Sequence, residues 1–158
     1  KDSESALKCF QIARAGYQAL NNQRGCVIQD QLMLRQYRKL GDWDKGREAA
    51  RRALRGIDRD KDEHTMANIM YETSELYLQT GEYGQAREMA CGAALRYAKR
   101  GEKRRLGRAL FVAARAAKEL HRYDDAVSYS KKAAEIYRGI GLSDGKEYQD
   151  FRKFIDGL

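Results

Sequence analysis

The residues that could support catalysis or metal binding are few and scattered. His64 and His121 lie far apart in the chain, and neither has a cysteine or carboxylate at ligand spacing on its own predicted helix. The three cysteines, Cys9, Cys26 and Cys91, match no metal-binding or redox spacing and fall on apolar helix faces or helix starts, where a packed thiol is usual. The glycines fit no phosphate-binding loop. We therefore predict no catalytic residue, no metal site and no cofactor, and we predict that the chain is not an enzyme.

Basic side chains are the other candidates for chemistry, and the chemistry would be anion binding. The chain has 31 basic and 23 acidic residues, a formal net charge of +8, which attracts acidic peptides, nucleic acid or anionic membranes. One concentrated group falls within a single predicted helix: Arg47, Arg51, Arg52 and Arg55. We interpret this group as a solvated face, with phosphate contact as the alternative. Since no nucleic-acid motif with interleaved aromatics accompanies it, nucleic acid stays the second hypothesis.

Two further features bear on location. No apolar run approaches the roughly 20 residues that a membrane-spanning helix needs, so we predict no membrane span. An odd number of unpatterned cysteines favours a reducing, cytoplasmic setting over a secreted one. The chain begins at Lys1 and not at Met, and we interpret it as a fragment of a longer protein.

The sequence repeats itself at an offset of 40 residues, without gaps. Three segments correspond to one another: Leu40-Gly41-Asp42-Trp43, Thr80-Gly81-Glu82-Tyr83 and Leu120-His121-Arg122-Tyr123. A stripe of small residues follows each segment: Gly46, Ala50 and Ala53; Ala86, Ala90 and Ala93; Ala126, Ser130 and Ala133. Their spacing of four and three puts each stripe on one helical face, where small side chains let two helices approach closely. Gly41 and Gly81 suit the left-handed backbone at a helix end, and His121 occupies the third such position.

The apolar periodicity and the capping residues together predict eight helices. Their predicted ranges are 4–20, 25–40, 44–58, 64–79, 84–99, 104–119, 124–139 and 144–157. The predicted N-caps are Ser3, Asp42, Asp124 and Ser143. The aromatic residue after each turn is expected to staple the start of the second helix against its partner.

The pattern Gly-x-aromatic-x-x-small-x-x-x-small-x-x-Ala resembles the second half of the tetratricopeptide repeat. The family repeat is usually about 34 residues long, and the period of 40 is similar to the longer variant found in kinesin light chains and cell-polarity adaptors. The resemblance implies an all-α, right-handed superhelical solenoid of antiparallel helix hairpins in a single domain over 1–158. Its parts would be a half repeat or cap at 1–20, repeats at 24–60, 64–100 and 104–140, and a C-terminal capping helix at 144–158.

The same resemblance implies a function. First helices would line a concave groove that binds another protein and has no chemistry of its own. Mapped onto this chain, the groove residues are Arg35, Arg38, Lys39, Asn68, Tyr71, Arg108, Phe111, Arg115, Lys118, Tyr148 and Phe151. Arginines there suit carboxylates, and aromatic rings suit apolar anchors. We therefore expect a scaffold or adaptor that binds an acidic or amphipathic segment of a partner protein; self-association is expected if the apolar face of the first helix is left uncovered.

Overall fold

The chain folds into helices separated by short turns. The structure, a computed structural model, describes residues 2–59 and 61–158; Lys1 and Asp60, at the edges of the predicted segments 1–20 and 24–60, lie outside them. Within the described ranges there are eight α-helices and no strand: α1 Asp2–Ala19, α2 Gln23–Leu40, α3 Trp43–Gly56, α4 Glu63–Gln79, α5 Tyr83–Lys99, α6 Lys103–Glu119, α7 Tyr123–Gly139 and α8 Lys146–Asp156. The predicted all-α fold is confirmed, and every helix end lies within two residues of its predicted position.

Left-handed turns recur at a spacing of 20 residues. Over 2–59 and 61–158, six residues that follow helices have a positive φ: Asn21 at 52°, Gly41 at 73°, Gly81 at 81°, Gly101 at 71°, His121 at 58° and Gly141 at 73°. In each turn the next backbone N–H donates to the carbonyl five residues earlier, as Asp42 does to Tyr37 at 3.0 Å. That acceptor residue is a tyrosine in five of the six turns. The predicted roles of Gly41 and Gly81 are confirmed, and the structural half repeat is 20 residues long.

The end of α3 is the exception to this spacing. Its C-cap, Ile57, has an extended backbone with ψ 136°. Asp58 and Asp62 then accept backbone N–H groups from Lys61 and Thr65 at 3.3 and 3.2 Å. Among the described residues of this loop, hydrogen bonds to side-chain carboxylates take the place of the left-handed turn.

The helix starts confirm one predicted N-cap and correct three. Asp42 accepts the backbone N–H of Lys45 at 3.4 Å, as predicted. The other predicted N-caps are wrong: Ser3, Asp124 and Ser143. The helix α1 is already helical at Asp2, and α7 and α8 begin after Arg122 and Gly145, which make no side-chain cap bond. The regular turn places Arg122 where Asp42 lies in an earlier copy, so the turn backbone determines the helix start without a polar cap.

The chain divides into two compact units within α4, the first ending at Leu76 and the second running from Tyr77 to Leu158. In the first unit α2 packs against α1 and α3, and in the second α6 packs against α5 and α7, with α8 against α7. Because short turns join these neighbours, they run antiparallel. None of the helices in the described residues is both long enough and apolar enough to cross a bilayer.

The core of the first unit lies between α1, α2, α3 and α4. It includes Leu34 and Leu76, both fully buried, and Trp43 packs against it as the predicted staple. The predicted small residues of α3 are all buried: Gly46, Ala50 and Ala53. On α1, Leu7 and Phe10 pack inward, whereas Ile12 is 74% exposed.

The core of the second unit is built largely from small residues. The predicted stripes on α5 and α7 are buried without exception: Ala86, Ala90, Ala93, Ala126, Ser130 and Ala133. Tyr123 begins α7, as Trp43 begins α3, but its side chain is 48% exposed and its hydroxyl contacts His121 at 3.1 Å. The predicted position of this aromatic is therefore confirmed, but its surroundings differ from those of Trp43.

Candidate protein-binding surface

Two arginines predicted to line the groove pair with a buried carboxylate in the first unit. Arg35 Nε donates to Glu72 Oε1 at 2.6 Å, and Arg38 Nη2 donates to Glu72 Oε2 at 3.1 Å. The Glu72 side chain on α4 is only 2% exposed, and Arg38 also lies 3.8 Å from Glu75. Since a carboxylate this buried needs charged partners, the two arginines of α2 neutralise a charge inside the unit. They join two successive first helices.

A matching cluster holds α8 in the second unit. Arg108 Nε donates to Glu147 Oε1 at 2.7 Å, with a second, shorter bond from its Nη2, and Arg104 Nε donates to Oε2 at 3.4 Å. The Tyr137 hydroxyl donates to the same Oε2. Burial alone would raise the pKa of Glu147, but the hydrogen bonds from Tyr137 and Arg108 outweigh it, so this pKa is lowered. The carboxylate is therefore kept charged and bound.

The arginines of α3 are mostly paired as well. Asp30 on α2 has a side chain only 2% exposed, and its Oδ1 accepts from Arg14 at 2.9 Å and from Arg52 at 2.8 Å. Arg51 lies 3.0 Å from Glu48, and Arg47 lies 3.9 Å from Asp44. Of the predicted basic group, Arg55 alone forms no ion pair within the described residues. This pairing lowers the charge that the face could offer to phosphates.

The acidic partners of these arginines were not predicted, although the repeat contains a signal for them. Glu72 occupies the repeat position held by Leu32 and Val112 in the other copies. Asp30 corresponds in the same way to Met70 and Leu110. A carboxylate at a repeat position that is otherwise apolar predicts a buried ion pair, because burial without a cation is costly.

Two aromatic residues of the predicted groove, Phe111 and Phe151, pack against each other. Phe151 of α8 is 2% exposed, with its ring centroid 4.7 Å from that of Phe111 and 4.9 Å from that of Tyr137. Phe154 packs edge-on against Phe111 at 5.4 Å, and Lys118 Nζ lies 5.3 Å from the Phe154 ring centre. Phe151 is therefore a buried side chain that packs beneath Phe111, and Phe111 itself is only partly accessible to solvent.

The remaining predicted residues lie at the surface. Asn68 Nδ2 is 3.1 Å from His64, and the Tyr71 hydroxyl donates to Glu75 at 3.3 Å. Tyr148 is half-buried, and its hydroxyl accepts from Arg138 at 3.5 Å.

Three predicted cations keep unpaired charge: Lys39, Arg115 and Lys118 form no ion pair within the described residues. Lys39 is exposed on α2, whereas Arg115 and Lys118 share one face of α6 with Phe111. We call the face formed by Phe111, Arg115 and Lys118 the α6 surface.

A solved structure shares this architecture. The chain is similar to the crystal structure of BtubC (BKLC) from P. vanneervenii, with a TM-score of 0.74 over 96% of the chain. The two sequences are 18% identical, so the likeness to BtubC shows a helical repeat-like fold and nothing finer. This chain spans 63% of the BtubC chain. The sequence matches no protein-family model and no curated protein.

Proposed function

We propose that this chain is a tetratricopeptide-type scaffold that binds a segment of another protein on the exposed faces of its first helices. The helical repeat-like fold, the recurring left-handed turns and the buried stripes of small residues support the assignment to this repeat type. As part of the proposal, the chain acts in the cytoplasm, by binding and without catalysis of its own.

The α6 surface carries the proposal. Arg115 and Lys118 have no carboxylate partner within the described residues, whereas Arg35, Arg38 and Arg108 already hold internal carboxylates. An arginine without a carboxylate partner can donate hydrogen bonds to a carboxylate of another protein, and the partly accessible ring of Phe111 adds apolar contact area. The partner segment is therefore acidic or amphipathic.

Charge reversal at this surface tests the proposal. The double variant Arg115→Glu/Lys118→Glu should reduce partner recovery at least several-fold in a pull-down read by quantitative mass spectrometry at about 150 mM salt, where exposed charges still act over about 8 Å. The matched control is Lys8→Glu/Arg55→Glu, which changes the net charge equally at exposed residues of α1 and α3. An unchanged set of captured proteins in the α6 variant would refute the proposed surface. Arg35 and Arg108 are left unchanged, because reversing their charge would break the ion pairs that they form with Glu72 and Glu147.

Nucleic acid is the alternative that a salt titration separates from this proposal. Binding to a random oligonucleotide that is tight at low salt and collapses at moderate salt would favour phosphate contact. The pairing of Arg47, Arg51 and Arg52 with carboxylates argues against that outcome.

A further inference from the structure

A groove runs between α5 and α7 in the second unit, with α6 as its floor. It consists of two adjoining spaces of about 430 and 270 Å³ that share Ala98, Leu106 and Ile136 as lining residues. Leu95 on its α5 wall is 58% exposed. Most of the lining residues are apolar, and none of them belongs to the α6 surface.

The apolar character of this groove departs from the repeat pattern. Leu95 occupies the position of Arg55 and Glu135 in the neighbouring copies, and Ile136 occupies that of Arg96. The space between α1 and α3 in the first unit has more charged and amide side chains in its lining, among them Arg14, Gln18 and Arg52, beside apolar residues such as Met33. Since the fold accepts polar residues at these positions, the fold does not require an exposed apolar lining in the second unit.

The shape of the groove favours a helix as its occupant. Its walls are helices whose backbone groups already bond within the helix, so an extended peptide would find almost no main-chain partners there. A helix satisfies its own backbone and needs only side-chain contacts. From Cys91 to Lys99 the α5 wall extends about 12 Å, or about two helical turns.

The charges around the groove favour an acidic occupant. Lys103 and Lys132 line it, against the single carboxylate of Glu135. Lys99 and Lys131, the neighbours of lining residues Ala98 and Lys132, are exposed. Like charges would repel a basic helix from this rim, whereas Asp and Glu along the edge of an incoming helix would be attracted.

We propose that the α5–α7 groove binds an amphipathic helix of a partner protein, with its apolar side chains between Leu95 and Ile136 and acidic residues facing Lys103 and Lys132. This site goes beyond the proposed function, because it uses residues outside the α6 surface and does not depend on them.

The test uses a synthetic probe. A stapled, fluorescein-labelled peptide of about four helical turns carries leucines on one face and glutamates along both edges; a matched peptide has lysines in place of the glutamates. Fluorescence anisotropy should show micromolar binding of the acidic peptide and roughly tenfold weaker binding of the basic one at low salt. The variant Leu95→Arg/Ile136→Arg introduces the residues found at equivalent positions and removes the apolar contacts. It should weaken acidic-peptide binding by roughly tenfold or more, and the loss should persist at high salt, where the two added cations no longer attract the glutamates of the peptide.

The control variants locate the site. Leu120→Arg changes an apolar residue that is 37% exposed and outside the groove, and it should leave the affinity within about twofold, as surface changes away from a contact do. Melting temperatures show whether each variant is folded. If Ile136→Arg perturbs folding, the single variant Leu95→Arg replaces the double variant in the binding measurement. Equal affinity for all variants would overturn the proposal, as would loss of binding only in Arg115→Glu/Lys118→Glu, which would place the peptide on the α6 surface. Sedimentation showing a dimer that Leu95→Arg abolishes would overturn it too, because the groove would then bind a second copy of the chain.

Discussion

A methyl group on Gly107 of α6 would stand only 2.5 Å from Cε2 of Tyr137 on α7. The tyrosine cannot move aside easily, because its side chain is buried and its hydroxyl donates to Glu147 while lying 3.3 Å from the carbonyl oxygen of Arg104. The close approach of α6 and α7 therefore depends on the missing side chain at Gly107.

We expect Gly107→Ala to lower the free energy of unfolding by about 1–3 kcal/mol, because overpacking outweighs the better helix propensity of alanine. Urea denaturation measures the change. Gly16 on α1 is the matched control, since nothing lies within 4 Å of a methyl group there; Gly16→Ala should raise the stability by roughly 0.5–1 kcal/mol. A stabilising effect at both glycines would contradict the packing argument.

The buried carboxylate of Glu72 should matter more than an exposed one with equally many partners. Glu72→Gln leaves Arg38 without its close charge partner and should cost about 1–3 kcal/mol in unfolding free energy. Glu48, whose side chain is 45% exposed, also pairs with two arginines, and Glu48→Gln should cost less than about 1 kcal/mol. Chemical denaturation of both variants gives the comparison, and similar costs would show that burial of Glu72 has no energetic effect.

Arg108 and Arg115 should respond differently to charge reversal. Arg108→Glu places a second carboxylate beside Glu147 and should lower the melting temperature by roughly 5 °C. Arg115→Glu removes no internal ion pair, so its melting temperature should stay within about 1–2 °C of the parent, as exposed surface substitutions do. Thermal unfolding followed by circular dichroism, at one pH and salt concentration, gives the melting temperatures of both variants and the parent. A large loss for Arg115→Glu would mean that this side chain supports the fold.

Alkaline pH should weaken the contact between Tyr137 and Glu147. Burial, followed by the hydrogen bond to Glu147, raises the pKa of Tyr137 from 10.0 to about 12. The folded state holds this proton more tightly than the unfolded chain, so the stabilisation is complete below pH 10 and is lost as the pH rises towards about 12. Tyr137→Phe should therefore show a shallower decline of the urea midpoint between those values. The urea midpoint of Tyr123→Phe, a change at an exposed ring, should decline with pH as that of the parent does. Identical slopes for all three proteins would contradict the role given to the Tyr137 hydroxyl.

The sequence predicted the helices well because repeat copies reinforce one another. Gly41 and Gly81 mark the same turn, and the buried small residues of α3, α5 and α7 fall at the same offsets. The half repeat of 20 residues was missed, although tyrosines at 17, 37, 77, 97 and 137 mark it. Those tyrosines contribute a backbone carbonyl to the turn, a role that residue type alone does not reveal.

The candidate site was less predictable for a physical reason. The repeat pattern indicates which face a side chain occupies, but not whether another side chain reaches it. Arg35 and Arg115 occupy equivalent first-helix positions offset by 80 residues, yet only Arg35 meets a carboxylate, because the residue 37 positions further on is Glu72 for Arg35 and Arg152 for Arg115. Charge pairing over 37 residues of sequence depends on the tertiary packing, so the unpaired cations could be identified only with coordinates.

Three acids that pair with arginines also favour the native order of the helical pairs. Hairpins that share one backbone shape can be stacked in any sequence as far as their turns and alanine faces are concerned. Asp30, Glu72 and Glu147 each require arginines from particular neighbours. In a chain with its copies exchanged, Asp30 or Glu72 would be buried without a cation beside it. The cost of that unpaired charge favours the native order of the repeats.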